Sequence, residues 1–211
     1  MNKETMNTDN SPNFDGVYER REGILSVLRF KRHFQVPQER LWYAVSDRQG
    51  AKLWLNTIDQ LELKVGGAFS IRTYDENNPA AWTTGIVTEV QPPQVLEYTW
   101  NQGPYGGGPA MQSKVRYEIE PESEGAALTI THVLYDTTGD KYVATFLGNY
   151  HMHLDALAQV MNGKYKDFAD YLVRRAAESD LSDREFIIKL CIGLHDGYAK
   201  KYGRTTYGKP D

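Results

Sequence analysis

The sequence contains a single cysteine, Cys191, among its 211 residues. One cysteine excludes a disulfide within the chain and any site at which several cysteines hold a metal. This usage is typical of proteins in a reducing compartment, and we expect a cytoplasmic protein. Because Cys191 lies among Leu190, Ile192 and Leu194, we expect a buried thiol that is not a nucleophile.

Long apolar runs and an excess of basic charge are also missing. No run of about 18 apolar residues could span a bilayer, and the opening MNKETMNTDNSPNFDG lacks the apolar segment of a signal peptide. The formal net charge of -4 argues against a nucleic-acid partner, because phosphate binding needs a basic surface. The sequence therefore predicts no membrane partner, no nucleic-acid partner and a disordered leader over residues 1–22.

The signatures of common enzyme classes are absent as well. No G-x-S-x-G elbow occurs, and YGGGPA lacks the glycine spacing and the Lys-Ser/Thr pair of a phosphate-binding loop. His151 and His153 diverge on a helix because they are two residues apart, whereas His151 and Asp155 are expected to meet in a surface hydrogen bond. We therefore predict no metal, no cofactor and no catalytic residue.

Short segments of alternating polarity, separated by turn residues, run from residue 24 to residue 135. They predict about seven strands in an antiparallel meander. The segments are ILSVLRFKRHF, QLELKV, AFSIRTY, AWTTGIVTEV, VLEYTW, QSKVRYEIE and ALTITHVLY. Two short helices are predicted after the first strand, over VPQERLWYAV and DRQGAKLWL.

The pattern changes at Asp140, where apolar residues begin to recur every three or four positions as far as Met161. This period predicts one long amphipathic helix. Two more helices are predicted after it, and the last opens with Ser182 and Glu185 in capping-box spacing. We therefore expect a strand-and-helix domain over residues 23–163 and a helical extension over 164–211 that either caps the domain or forms a homodimer interface.

This order of elements resembles the helix-grip fold of the START-like (SRPBCC) superfamily. The likeness rests on the segments RFKRHFQVPQERLWYAVSD, KVGGAF, GIVTEVQPPQVLEYTW, LTITH and GNYHMHLDAL. They are most similar to the short bacterial form of the activator of the heat-shock protein 90 ATPase, over about residues 24–163. The family commonly has tryptophan after the helix glycine, whereas here Asn149 and Tyr150 follow Gly148.

The resemblance implies an α+β fold in which a curved antiparallel sheet wraps around the long helix and encloses a cavity. Strand alternation then identifies side chains that face this cavity, because successive residues point to opposite faces. The expected lining residues are Arg32, Phe69, Ile71, Tyr98, Trp100, Tyr117, His132 and Tyr150. Alternatively, Arg32 pairs with a carboxylate, His132 binds a backbone carbonyl, and the aromatic rows are core packing.

Relatives with this fold imply that the cavity holds a hydrophobic or amphipathic small molecule. One alternative is a cyclase or hydrolase, in which Arg32 steadies an enolate while His132 moves a proton. The other is a protein-interaction or co-chaperone-like module that acts through the C-terminal helices. The short form lacks the extra N-terminal domain of the eukaryotic co-chaperone, which argues against activation of an ATPase.

Overall fold

The computed structural model describes residues 14–21, 25–55, 58–72, 82–103, 111–135 and 142–204. Its strands are β1 (Val17–Arg21), β2 (Leu25–Phe34), β3 (Ile58–Leu61), β4 (Ala68–Arg72), β5 (Trp82–Gln91), β6 (Val95–Gln102), β7 (Met111–Glu122) and β8 (Gly125–Leu134). Its helices are α1 (Gln38–Ser46), α2 (Arg48–Ala51), α3 (Val143–Met161), α4 (Phe168–Glu178) and α5 (Asp183–Tyr202).

The strands form one open antiparallel sheet of eight strands in the order β1-β2-β8-β7-β6-β5-β4-β3. The meander from β3 to β8 consists of successive antiparallel neighbours, as predicted, and β2 joins it by pairing with β8. In this register His132 of β8 lies between Leu28 of β2 and Val115 of β7. The predicted α+β helix-grip fold is therefore confirmed.

The sheet begins earlier than predicted, because β1 lies within the residues expected to form a disordered leader. It pairs with β2, and Tyr18 lies opposite Leu28. Most of its side chains are exposed, so no alternation marked it in the sequence. The C-terminal helix holds it in place: the Tyr202 hydroxyl donates to the Gly16 carbonyl at 2.7 Å. Residues 1–13 and 22 of the expected leader lie outside the described residues.

The main core fills the space between one face of the sheet and α3. Side chains that alternate along β2 and β6 to β8 are almost fully buried against helix residues such as Leu147 and Leu154. The sheet side of this core includes Leu28, Phe30, Leu96, Tyr98, Val115, Tyr117, Leu128 and Ile130. Helices α1 and α2 close one end, where the Trp54 indole N–H donates to the Ala44 carbonyl at 3.0 Å.

Helix α3 is buried on its second side as well, because α4 and α5 pack against it. Met152, Ala156 and Val160 form a second apolar cluster with residues of these two helices. Gly148 allows the close approach, since a Cβ there would lie 2.4 Å from the His195 ring. The predicted capping box at Ser182 is present at the start of α5.

The helical extension therefore packs onto the domain, and a homodimer interface stays a prediction. Within the described ranges, no helix is both long enough and apolar enough to cross a membrane.

Candidate functional site

His132 lies in a chain of buried hydrogen bonds between α3 and the sheet. The Tyr150 hydroxyl donates to Nδ1 of His132 at 3.1 Å, and Nε2 of His132 lies 2.8 Å from Oγ of Ser113. Ser113 donates its own proton to the Trp100 carbonyl at 2.8 Å, so it accepts from His132. Burial lowers the pKa of His132 to about 3, which keeps the ring neutral with its proton on Nε2.

Two tyrosines form a second buried polar group beside this chain. The Tyr98 hydroxyl donates to the Tyr117 hydroxyl at 2.9 Å. Burial raises the pKa of Tyr117 to about 12 and that of Tyr98 well above its ordinary value, so both phenols are neutral. Phe69 stacks on Tyr98 with 3.9 Å between ring centroids, and Trp100 lies 5.9 Å from Phe69. The result is an aromatic wall that contains a few neutral polar groups.

Two polar atoms in this region have no hydrogen-bond partner among the described residues. They are Nε1 of Trp100 and Oγ1 of Thr83, and both are buried. Thr83 lies opposite Ile71 of β4 and Gln102 of β6, so it shares the inward face with Trp100, two residues before Gln102. Thr83 and Ser113 are not among the residues predicted from the sequence, although the same alternation that selects Ile71 and Val115 also places these two inward.

The two ends of the interior between the sheet and α3 differ in the exposure of their side chains. At the α1–α2 end, Leu41, Ala44 and Trp54 are fully buried. At the opposite end Phe146 keeps 9% exposure and Ile71 keeps 7%, and Trp100 is only partly buried. Among the described residues, these three side chains are slightly more exposed than Leu41, Ala44 and Trp54, and we call their end of the interior the less covered end.

The structure brings most of the predicted lining residues together in the interior between the sheet and α3. Ring contacts and hydrogen bonds join Phe69, Tyr98, Trp100, Tyr117, His132 and Tyr150, and Ile71 lies two residues from Phe69 on the same face of β4. His132 is bonded to Ser113 and Tyr150 rather than to the backbone carbonyl that the structural alternative named.

Arg32 does not join this group. Its Nη1 lies 2.8 Å from Asp155 of α3, and its Nη2 lies 2.9 Å from Asp15. His151 completes the cluster, with Nε2 at 3.2 Å from Asp155 and Nδ1 at 2.9 Å from the Tyr198 hydroxyl. The ion pair that the sequence analysis gave as the alternative for Arg32 is therefore present. The predicted contact between His151 and Asp155 also forms, but His151 is buried, because α5 covers it.

The pKa of Asp155 is shifted in this cluster. Burial alone would raise the pKa of Asp155, but hydrogen bonds from His151 and Arg32 and their charges lower it below its ordinary value. Asp155 therefore stays ionised at neutral pH and ties β2, α3 and the residues before β1 together. This arrangement is a structural clamp, since all three guanidinium nitrogens of Arg32 lie against a carboxylate oxygen of Asp15 or Asp155.

A separate groove of about 410 Å³ lies on α5, away from the sheet. Phe14, Phe186, Leu190 and Leu194 line it, and Gly193 leaves it open. Nearby, burial raises the pKa of Cys191 to about 11, and its Sγ lies 3.7 Å from Sδ of Met152, which fits an unreactive thiol. Across the described ranges no cluster of three or more His, Cys, Asp or Glu residues could hold a metal ion.

Comparison with known proteins agrees with this fold. Residues 35–162 match the family described as "Activator of Hsp90 ATPase homolog 1-like protein". Curated proteins gave no match to the chain.

Three solved structures are similar to the chain. MLL2253 from Mesorhizobium loti is 21% identical with a TM-score of 0.57, and the match covers 64% of this chain and 96% of that one. CalU16 from Micromonospora echinospora is 17% identical with a TM-score of 0.58, over 88% of this chain and 95% of that one. EF2215 from Enterococcus faecalis is 13% identical with a TM-score of 0.59, over 91% and 92%.

Two of these matches extend into the helical extension. Residues 1–163 are 163 of the 211 residues, about 77% of the chain. The matches to CalU16 and EF2215 cover more than that share, so they include part of the residues after 163. The family match ends at residue 162, so the structural likeness to these two proteins extends beyond the family match.

Proposed function

The chain belongs to the family of activator of Hsp90 ATPase homolog 1-like proteins, and we propose that it binds a hydrophobic or amphipathic small molecule between the sheet and α3. The observation that carries this proposal is an aromatic wall with a few neutral polar groups, in which the slightly exposed side chains of Ile71, Trp100 and Phe146 lie at the less covered end. Apolar concave sites with a small number of well-placed polar atoms are the usual small-molecule sites of proteins.

The ligand lies at the less covered end in this proposal. Tyr98 and Tyr117 fill the middle of the interior with their own rings, and Trp54 closes the α1–α2 end. Phe69, Trp100 and the first half of α3 are the parts that an apolar molecule reaches without displacing the main core.

The charge state of the polar groups supports binding over catalysis. His132 is neutral, with a pKa of about 3, and both of its ring nitrogens are hydrogen-bonded inside the protein. A general base works best with a pKa near the working pH. Arg32, the residue assigned to an enolate in the enzyme alternative, is held by Asp15 and Asp155 instead. The interaction-module alternative stays a prediction.

Photolabelling with benzophenone tests the proposal, because this apolar ketone bonds covalently to neighbouring C–H groups when irradiated. We expect labelled peptides from β4 to β8 or from the first half of α3.

A matched pair of variants distinguishes binding between the sheet and α3 from binding in the groove on α5. Ile71→Trp adds bulk at the less covered end and should reduce labelling at least about tenfold. Gly193→Leu fills the groove on α5, where a Cβ meets no atom within 4 Å, and should leave labelling unchanged.

Two results would contradict the proposal. One is labelling confined to the α5 groove and abolished by Gly193→Leu. The other is the absence of saturable labelling in protein that circular dichroism shows to be folded.

A further inference from the structure

Thr83 and Trp100 carry two buried polar atoms for which the described residues offer no hydrogen-bond partner. The Thr83 side chain is 0% exposed, and neither its Oγ1 nor Nε1 of Trp100 has a hydrogen-bond partner. Buried polar groups are nearly always paired, so an orphaned pair on one face calls for an explanation. One recognised explanation is a partner that arrives with a ligand.

Other buried polar atoms of the interior have hydrogen-bond partners, so among its described residues the missing partners are confined to Thr83 and Trp100. The indole N–H of Trp54, which is also buried, donates to the Ala44 carbonyl, and the Tyr98 and His132 side chains are hydrogen-bonded as well. The remaining atoms without a hydrogen bond among the described residues belong to Tyr165, Arg175 and Arg32, which lie outside this group, and the Arg32 atom is in an ion pair with Asp15. Thr83 and Trp100 are diagonal neighbours on β5 and β6, at the less covered end.

The chemistry of the two atoms defines the group they would bind. An indole N–H only donates, whereas a hydroxyl donates or accepts, so the missing group must be an acceptor. The inward positions of β6, β7 and β8 carry no lysine or arginine, and an ionised carboxylate would therefore be buried without a counter-charge. A neutral carbonyl oxygen meets these requirements, because its two lone pairs can accept both hydrogen bonds.

Resting on the proposed function, we infer that the ligand carries a neutral carbonyl group whose oxygen accepts hydrogen bonds from Nε1 of Trp100 and Oγ1 of Thr83. The rest of the ligand is apolar and lies against Phe69 and Trp100. The site thereby distinguishes a ketone, ester or amide from a hydrocarbon of the same shape.

Calorimetric titration with benzophenone and diphenylmethane tests the inference, because the two probes share both rings and differ at the carbonyl. We expect the wild-type protein to bind benzophenone roughly five- to a hundredfold more tightly, the range for two hydrogen bonds formed in place of water. Trp100→Phe and Thr83→Val remove one donor each with little change of shape, and each should bring the ratio of the two Kd values toward one.

Two controls make the result specific. Thr83→Ser keeps the hydroxyl and should retain the preference for benzophenone. Trp54→Phe removes an indole N–H that already has a partner, and it should also leave the preference intact.

The outcomes separate the inference from the proposed function. If both probes bind with equal Kd, or if the preference survives both Trp100→Phe and Thr83→Val, the inference is overturned while the proposed binding stands. If neither probe binds to folded protein, the proposed function fails, and the inference fails with it.

Discussion

The neutral state of buried His132 makes the stability of the protein depend on pH in a calculable way. Its pKa is about 3 in the folded protein, against an ordinary value of 6.5. Below pH 6.5 the unfolded chain binds a proton at this residue that the folded protein does not bind. The stabilising contribution is therefore complete above pH 6.5 and is lost progressively as the pH falls from 6.5 toward about 3.

The size of the loss follows from this shift. Each pKa unit corresponds to about 1.4 kcal/mol, so lowering the pH to about 5.5 should cost roughly 1–2 kcal/mol through His132 alone. His132→Gln is the informative substitution, because its amide keeps a donor for Ser113 and an acceptor for Tyr150 but does not titrate. The variant should lose about that much less stability than the wild type over the same pH range.

Guanidinium unfolding at about pH 7.5 and about pH 5.5, followed by circular dichroism, measures both losses. His153 and His195, whose pKa values are also lowered by burial, contribute equally to both proteins, so the difference isolates His132. Equal losses in the wild type and the variant would show that His132 is not a buried neutral histidine, and the hydrogen-bond chain described above would be wrong.

Four further substitutions test other parts of the account by denaturant or thermal unfolding. Asp155→Asn should cost about 0.5–1 kcal/mol at pH 7, because the Asp155 side chain is 41% exposed and solvent weakens its ion pairs. This difference should shrink as the pH falls below about 4, because the stability from a lowered pKa is complete above the unfolded value and is lost as the pH falls through the folded value; a constant difference would contradict the clamp. Gly197→Ala places a Cβ 2.0 Å from Phe14 and should lower the free energy of unfolding by about 1–3 kcal/mol. Gly193→Ala places its Cβ in open space and should stabilise α5 by roughly 0.5–1 kcal/mol. Equal effects of the two substitutions would refute this packing. Thr83→Val should leave the free protein equally stable or more stable by up to about 1 kcal/mol, because it removes an orphaned hydroxyl; a marked loss would reveal a hidden partner.

Strand alternation was sufficient to predict which face of the sheet looks toward α3. Leu128, Ile130 and His132 are all buried on that face, because the period of two residues is a property of the extended backbone itself. The same reasoning selected Tyr98 and Trp100, which lie together in the structure.

Partners distant in sequence could not be predicted in this way. Arg32 binds Asp155, which is 123 positions away, and only the packing of α3 against the end of β2 brings them together. His151 was expected at the surface because the sequence of α3 shows a single apolar stripe. In the structure α5 covers the opposite side of that helix as well.

The orphaned atoms of Thr83 and Trp100 are equally invisible in the sequence, since a missing partner can be recognised only when all the neighbours are known. Asn149, at the position where the family commonly has tryptophan, is explained by the extension: its side-chain oxygen accepts from His195 of α5 at 2.9 Å.

Native mass spectrometry of freshly purified protein, followed by organic extraction, tests the central claim most directly. We expect a discrete additional mass that disappears on denaturation, is absent from Ile71→Trp and persists in Gly193→Leu. A mass retained by Ile71→Trp, or an unliganded wild-type protein that also fails to take up added benzophenone, would contradict binding between the sheet and α3.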